Sequence, residues 1–240
     1  MKHLSLLFLF FVGMISCFSQ EERDSIPTEN DSIAIVDTKY REDQFYLSVT
    51  YNLLSQVPDG LAQSGFSSGF HLGFIRDFPL NEQRNVAIGV GLGLSSNSYN
   101  QNMLIAEQPN GDYSYTIIEE DSISFSKNKF STYMVEMPLE FRWRTSTASE
   151  YQFWRIYTGL KFSYVFYNSS KFDGSIGTIK NSNIDNINRL RYGLTLGAGY
   201  STWNAHIYYG LNSIFDKDAK IDGHSVDMRS IKIGLMFYIL

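Results

Sequence analysis

Thr132–Arg144 reads TYMVEMPLEFRWR, and its pattern decides the fold. Tyr133, Val135, Met137, Leu139, Phe141 and Trp143 fall on one parity; Thr132, Met134, Glu136, Pro138, Glu140, Arg142 and Arg144 fall on the other. The first set is apolar throughout. The second turns polar and carries Glu136, Glu140, Arg142 and Arg144. Side chains alternate faces along a strand, whereas a helix would scatter these apolar residues around its axis. The stretch is also longer than most soluble strands, which run to about 5–6 residues. A strand crossing a membrane needs about 9–11 residues, apolar toward lipid and polar toward a lumen. The stretch therefore predicts a membrane-crossing strand with its odd positions facing lipid.

Seven further segments carry the same signature, over residues 44–54, 65–78, 86–95, 151–167, 187–202, 205–215 and 229–240. Phe45, Leu47, Val49, Tyr51 and Leu53 share one face of the first; Phe66, Phe70, Leu72, Phe74 and Phe78 share one face of the second. In the third, Val86, Ile88, Val90, Leu92 and Leu94 alternate with Ala87, Gly89, Gly91, Gly93 and Ser95. A lone glycine weakens a strand, so a row of them has a purpose. In a narrow barrel, small lumen residues on one strand make room for long side chains from another. The last segment, with Ile231, Ile233, Leu235, Phe237 and Ile239 on one face, ends in FYIL. Such an apolar ending expects pairing within a sheet, and pairing the last strand with the first removes both edges. The reading is an all-β fold, an eight-stranded antiparallel transmembrane barrel over residues 44–240.

Connections one, three, five and seven are mostly long and polar; two, four and six are short. The long segment 97–129 holds Asn110-Gly111, a strong hairpin dipeptide. Outer-membrane barrels have short periplasmic turns and longer external loops, so this alternation places both termini in the periplasm. Trp143, Trp154 and Trp203 all fall beside the short turns. Aromatic rings favour the membrane interface, which makes those three residues the expected inner rim of the barrel.

Residues 1–19 read as a secretory leader: Lys2 and His3, an apolar run from Leu4 to Ile15, then Cys17-Phe18-Ser19 as a small-x-small site. Cleavage after Ser19 leaves no thiol; lipidation of Cys17, with Met14 where such signals carry Leu, is the alternative. Removing Lys2 leaves 19 basic against 25 acidic side chains, a mature charge of about −6. Residues 20–43 are acidic and poor in large apolar groups, a flexible periplasmic arm whose Ile33-Ala34-Ile35-Val36 cluster keeps docking open. No basic patch suits nucleic acid.

Parity points Glu136, Glu140, Arg142, Arg144, Arg155, Lys161, Arg189 and Arg191 into the lumen, with His71, Asp77, His206 and Lys232. Buried charges cost several kcal/mol unless paired. Glu136 and Glu140 are therefore expected to pair with Arg155, Lys161 or an arginine of the sixth strand, forming a plug of ion pairs. Pro138 cannot donate to a ladder, so it predicts a bulge or an interruption in a neighbour's pairing. No phosphate loop, metal-spaced histidine pair or cofactor motif is present, and the isolated His71 and His206 make no catalytic pair. Neither an enzyme nor a cofactor is expected. A Ca²⁺ site of Asp216, Asp218, Asp222 and Asp227 is weighed against plain loop solubility.

Tyr133-Met134-Val135-Glu136-Met137-Pro138-Leu139 resembles the Y-x-x-E-x-P-L strand of the PorT family of small outer-membrane barrels. The leader ending Ser19-Gln20, the glycine-alternating third strand and the terminal strand fit the same family, and the likeness spans residues 44–240. Glu140, Arg142 and Trp143 depart from the apolar residues and lysine that commonly follow the proline. The resemblance implies an outer-membrane component of type IX protein secretion that supports the translocon and surface export of cargo, in some relatives gliding motility, with protein partners in that machine and no catalytic residues. The alternative is a structural or adhesion barrel whose external loops bind a ligand.

Overall fold

The computed structural model describes residues 43–119, 123–145 and 153–239. The leader and the arm, Asp43 apart, lie outside the described residues. In chain order the strands are β1 (Gln44–Ser55), β2 (Ser68–Pro79), β3 (Val86–Asn100), β4 (Met103–Glu107), β5 (Tyr113–Ile117), β6 (Phe125–Arg144) and β7 (Trp154–Gly174). Then come β8 (Gly177–Ser182), β9 (Leu190–Tyr200), β10 (Trp203–Gly210), β11 (Lys220–Ile221), β12 (His224–Ser225) and β13 (Arg229–Ile239). Eight of them close a barrel in the order β1-β2-β3-β6-β7-β9-β10-β13, each antiparallel to the next. The seam runs from Phe45 opposite Ile239 to Ser55 opposite Arg229, so neither end strand leaves an open edge.

The two parities of β6 meet two environments. From Thr132 to Arg144 every even residue is buried and every odd residue is exposed. Exposed apolar side chains on every barrel strand form one belt. Trp143, Trp154 and Trp203 all stand on its outer face, the last two tilted or edge-on against Tyr200 and Phe237 with ring centroids 5.3 and 5.0 Å apart. A second aromatic rim, with Tyr133 against Tyr167 and Tyr51 against Phe66, marks the other edge. From Tyr133 to Trp143 the strand rises about 26 Å along the barrel axis at a tilt of about 40°, the height of an outer-membrane apolar band.

Inside, glycine and large side chains are complementary. A β-carbon on Gly93 would collide with the phenol of Tyr46, and one on Gly89 with the stem of Arg142. Pro138 interrupts its neighbour as expected: the β3–β6 ladder runs to Val90–Leu139, resumes at Gly93–Glu136 and keeps one register across the gap. The bulge lies elsewhere. Tyr133 pairs with Tyr167 and Met134 with Val165, so Phe166 is extra, and Phe166 and Tyr167 both point outward. Below the bulge the buried residues of β7 are odd-numbered, and above it they are even-numbered.

The short connections are residues 80–85, 145–153 and 201–202; the long ones are 56–67, 101–124, 175–189 and 211–228. The tight turn expected at Trp203-Asn204 sits two residues earlier, with Ser201 at φ 53° and Trp203 already in β10. The seventh strand ends at Gly210 instead of Phe215. The long connections are also more ordered than polarity alone suggests. β4 and β5 make the hairpin expected around Asn110-Gly111, with Gly111 at φ 86°. The expected loop 168–186 is instead mostly the top of β7 hairpinned to β8. Met103, Ile105, Tyr115, Ile184, Ile187, Ile214, Phe215, Val226 and Met228 from these connections pack on Tyr99, Phe130, Met134 and Val165 of the barrel. This apolar cap covers the long-loop mouth.

Candidate functional site: the lumen charges and the outer cap

Strand parity brings the central group together across the lumen, from β6 and its neighbour β7 and from β2, which lies beyond β3. Glu136 on β6 is fully buried; one carboxylate oxygen lies 3.2 Å from Lys161 Nζ on β7, and His71 Nδ1 on β2 lies 3.1 Å from the carboxylate. His71 Nε2 is 3.4 Å from Thr50 Oγ1 on β1. Toward the short turns lies a second group centred on Asp77. Arg142 Nη1 and Arg144 Nη2 donate to its two oxygens at 3.1 and 2.8 Å. Arg142 Nε also donates to Glu140 at 3.3 Å, its Nη2 to Gln44 Oε1 at 3.1 Å, and Arg144 Nε to the Arg84 carbonyl at 3.1 Å. The Asp77 amide donates to Asp43 Oδ1 at 2.9 Å, which ties the start of the described chain to β2.

The expected partners sort unevenly. Glu136 meets Lys161, whereas Glu140 meets Arg142 two residues along its own strand. Asp77, placed inward by parity but given no partner by sequence, is the hub for two arginines. Arg191 is buried, and its Nη2 lies 3.5 Å from the Asn212 carbonyl. Arg189 is not in the lumen: its side chain lies exposed just before β9, although its carbonyl still accepts the Val165 amide of β7 at 2.7 Å.

Among the described residues the barrel buries Asp77, Glu136 and Glu140 against Arg142, Arg144, Arg155, Lys161, Arg191 and Lys232. Aromatic faces take up part of that cationic excess. Arg142 lies 4.2 Å from the Tyr157 ring centroid, Arg155 lies 4.4 Å from Phe153 and 5.3 Å from Tyr238, and Lys232 lies 5.0 Å from Tyr208. A desolvated cation gains up to about 2 kcal/mol from such a face. The role of these rings depends on contacts across the lumen, which the strand pattern does not give.

The loop aspartates do not converge. Among the described residues no group of three or more His, Cys, Asp and Glu could hold a metal ion. Asp216 instead accepts the Asp218 and Ala219 amides at 2.9 and 3.2 Å and shapes its own turn. The cap carries two adjoining clefts of about 510 and 460 Å³, which share Asp59, Ile221 and Asp222.

A closed eight-stranded barrel with an apolar belt, two aromatic rims and a side-chain-filled lumen defines an integral outer-membrane protein. The chain belongs to the outer membrane protein beta-barrel domain family, whose model matches residues 18–216. No curated protein matches it. Among solved structures it is similar to Ail, the attachment invasion locus protein of Yersinia pestis, in complex with the heparin analogue sucrose octasulfate. That match has 17% identity and a TM-score of 0.32, and it covers 82% of this chain and 99% of that one.

Proposed function

We propose that this barrel is a non-catalytic accessory of the type IX secretion machinery, of the PorT kind, acting through protein contacts at its two ends. The observation that carries this reading is the strand motif Tyr133, Glu136, Pro138 and Leu139. Its Glu136 is the central buried acceptor and its Pro138 sits at the gap in the β3–β6 ladder. The motif therefore builds the barrel wall and its plug. A filled lumen leaves the outer cap, the short turns and the acidic arm as the working surfaces, which suits a scaffold better than a carrier. Deleting the gene and comparing secreted and surface proteomes tests it. Cargo bearing C-terminal sorting signals should accumulate in the periplasm, and unchanged export refutes the role.

A second reading is a structural or adhesion barrel whose cap binds an external ligand. The two adjoining clefts favour it. It predicts loss of surface binding in the same deletion strain with export intact.

A further inference from the structure

Above the outer aromatic rim the lipid-facing side of the barrel changes character row by row. The rim row is Ser96, Tyr133 and Tyr167 on β3, β6 and β7. Two residues further out the register aligns Ser98, Ser131, Ser169 and Ser182, now with β8 beside β7. The next row is Asn100, Lys129, Lys171 and Lys180. Side chains at paired positions share a face, so the three lysines stand in one line across three strands. One position higher on this face, Lys127 pairs with Asp173, which also lies 3.8 Å from Lys171 Nζ. The face thus carries Lys127, Lys129, Lys171 and Lys180 against Asp173.

Like charges directly opposite one another on a sheet destabilise it. Nothing in the barrel's closure requires lysine at all three paired positions, and the polar loops offer ample room for charge elsewhere. Their height matters. Lys129 is four residues from Tyr133, about 10 Å along the axis at the barrel's tilt. That is just outside the hydrocarbon boundary that the tyrosines mark, and a lysine stem can reach back down across it. In the serine row between, Ser169 and Ser182 are accessible at the boundary itself, whereas Ser131 is buried.

We propose that Lys129, Lys171 and Lys180 form a binding site for the phosphate of an outer-leaflet lipid headgroup. The lipid's acyl chains would lie on the apolar belt of β6 and β7 below, its phosphate among the three ammonium groups, and its sugar or glycerol oxygens against Ser169 and Ser182. The ligand would add counter-charge to a row that has Asp173 beside it among the described residues. The site is independent of any role in secretion.

The test uses the barrel in detergent micelles, titrated with fluorescently labelled diphosphoryl lipid A. Folding of each variant is checked first by its heat-dependent migration in a gel. Each basic residue near a charged surface is worth about fivefold in affinity, so the K129Q/K171Q/K180Q protein should bind on the order of a hundredfold more weakly. The K217Q/K220Q protein, altered in the cap, should bind as the parent does. Dephosphorylated lipid A should bind weakly, and inorganic phosphate at the same concentration should not compete. Undiminished binding by the triple variant overturns the proposal. So does equal binding of the dephosphorylated lipid, and full competition by inorganic phosphate would make the row a free-anion site instead.

Discussion

The phenol of Tyr46 on β1 fills the space that a side chain on Gly93, two strands away on β3, would need. Its hydroxyl is buried with no hydrogen-bond partner among the described residues. The glycine and the tyrosine are therefore one packing unit. Gly93→Ala should destabilise the barrel by about 1–3 kcal/mol through overpacking. Tyr46→Phe removes an unsatisfied hydroxyl and should be neutral or slightly stabilising. Combined, Tyr46→Phe should recover part of the Gly93→Ala loss. Urea midpoints followed by the folded and unfolded gel bands measure all three, and strict additivity would show that the two positions are not coupled.

Glu136 accepts from both Lys161 and His71 inside the barrel, so its removal strands at least one buried cation. Glu136→Gln should cost about 3–5 kcal/mol, the range for breaking a buried pair from one side. Replacing both partners, as Glu136→Gln with Lys161→Met, should restore most of that loss because no uncompensated charge remains. If the single and double variants unfold at the same urea concentration, Lys161 is not the partner that matters.

Strand parity was legible from sequence because a barrel wall separates two solvents, and each residue of β6 must suit one of them. The glycine row of β3 was legible for a related reason: the residues that fill the space above it could be inferred, though not named. What failed did so where that two-sided constraint ends. Arg189 keeps parity with Arg191, yet it stands at the last backbone bond of the wall, just before β9, and its side chain is exposed. The bulge at Phe166 left only two adjacent outward aromatics as its trace, and an aromatic pair fits either parity. The cap was hidden because Ile184, Ile187, Ile214, Phe215, Val226 and Met228 are scattered singly or in one pair among polar residues with no period, and only tertiary burial unites them. The partners of Asp77 and Arg155 depend on barrel shear, which strand patterns do not encode.

Tyr115 gives the cap a pH limit. Its hydroxyl donates to Asn186 Oδ1 at 3.2 Å, and burial, then Asp216 and Tyr113, push its phenol above the ordinary tyrosine range. In the unfolded cap it ionises near pH 10. The raised folded value means that the full stability of the cap holds below pH ~10 and is lost as pH rises through the folded value. Limited proteolysis of the cap should accelerate above pH 10 in the parent and much less in Tyr115→Phe. Equal acceleration in both would assign the alkaline sensitivity to another group.

The lumen should not conduct. An eight-stranded barrel encloses room for little more than its own side chains, and here three layers fill that room in series. The cap core lies over the outer mouth, the Glu136 group over the middle, and Asp77 with Arg142 and Arg144 toward the short turns. The lowest layer is held on both sides, because Arg142 also lies 4.2 Å from the Tyr157 ring while donating to Asp77. Opening a water path requires breaking charge-assisted bonds in a desolvated site, at a cost of several kcal/mol for each layer. In planar bilayers the parent should show no steady current of porin size. Asp77→Ala, which removes the carboxylate that Arg142 and Arg144 share, should instead give brief, small openings. A steady porin-sized conductance from the parent would mean that the layers part in the membrane, and the barrel would then be a route for solutes rather than a scaffold.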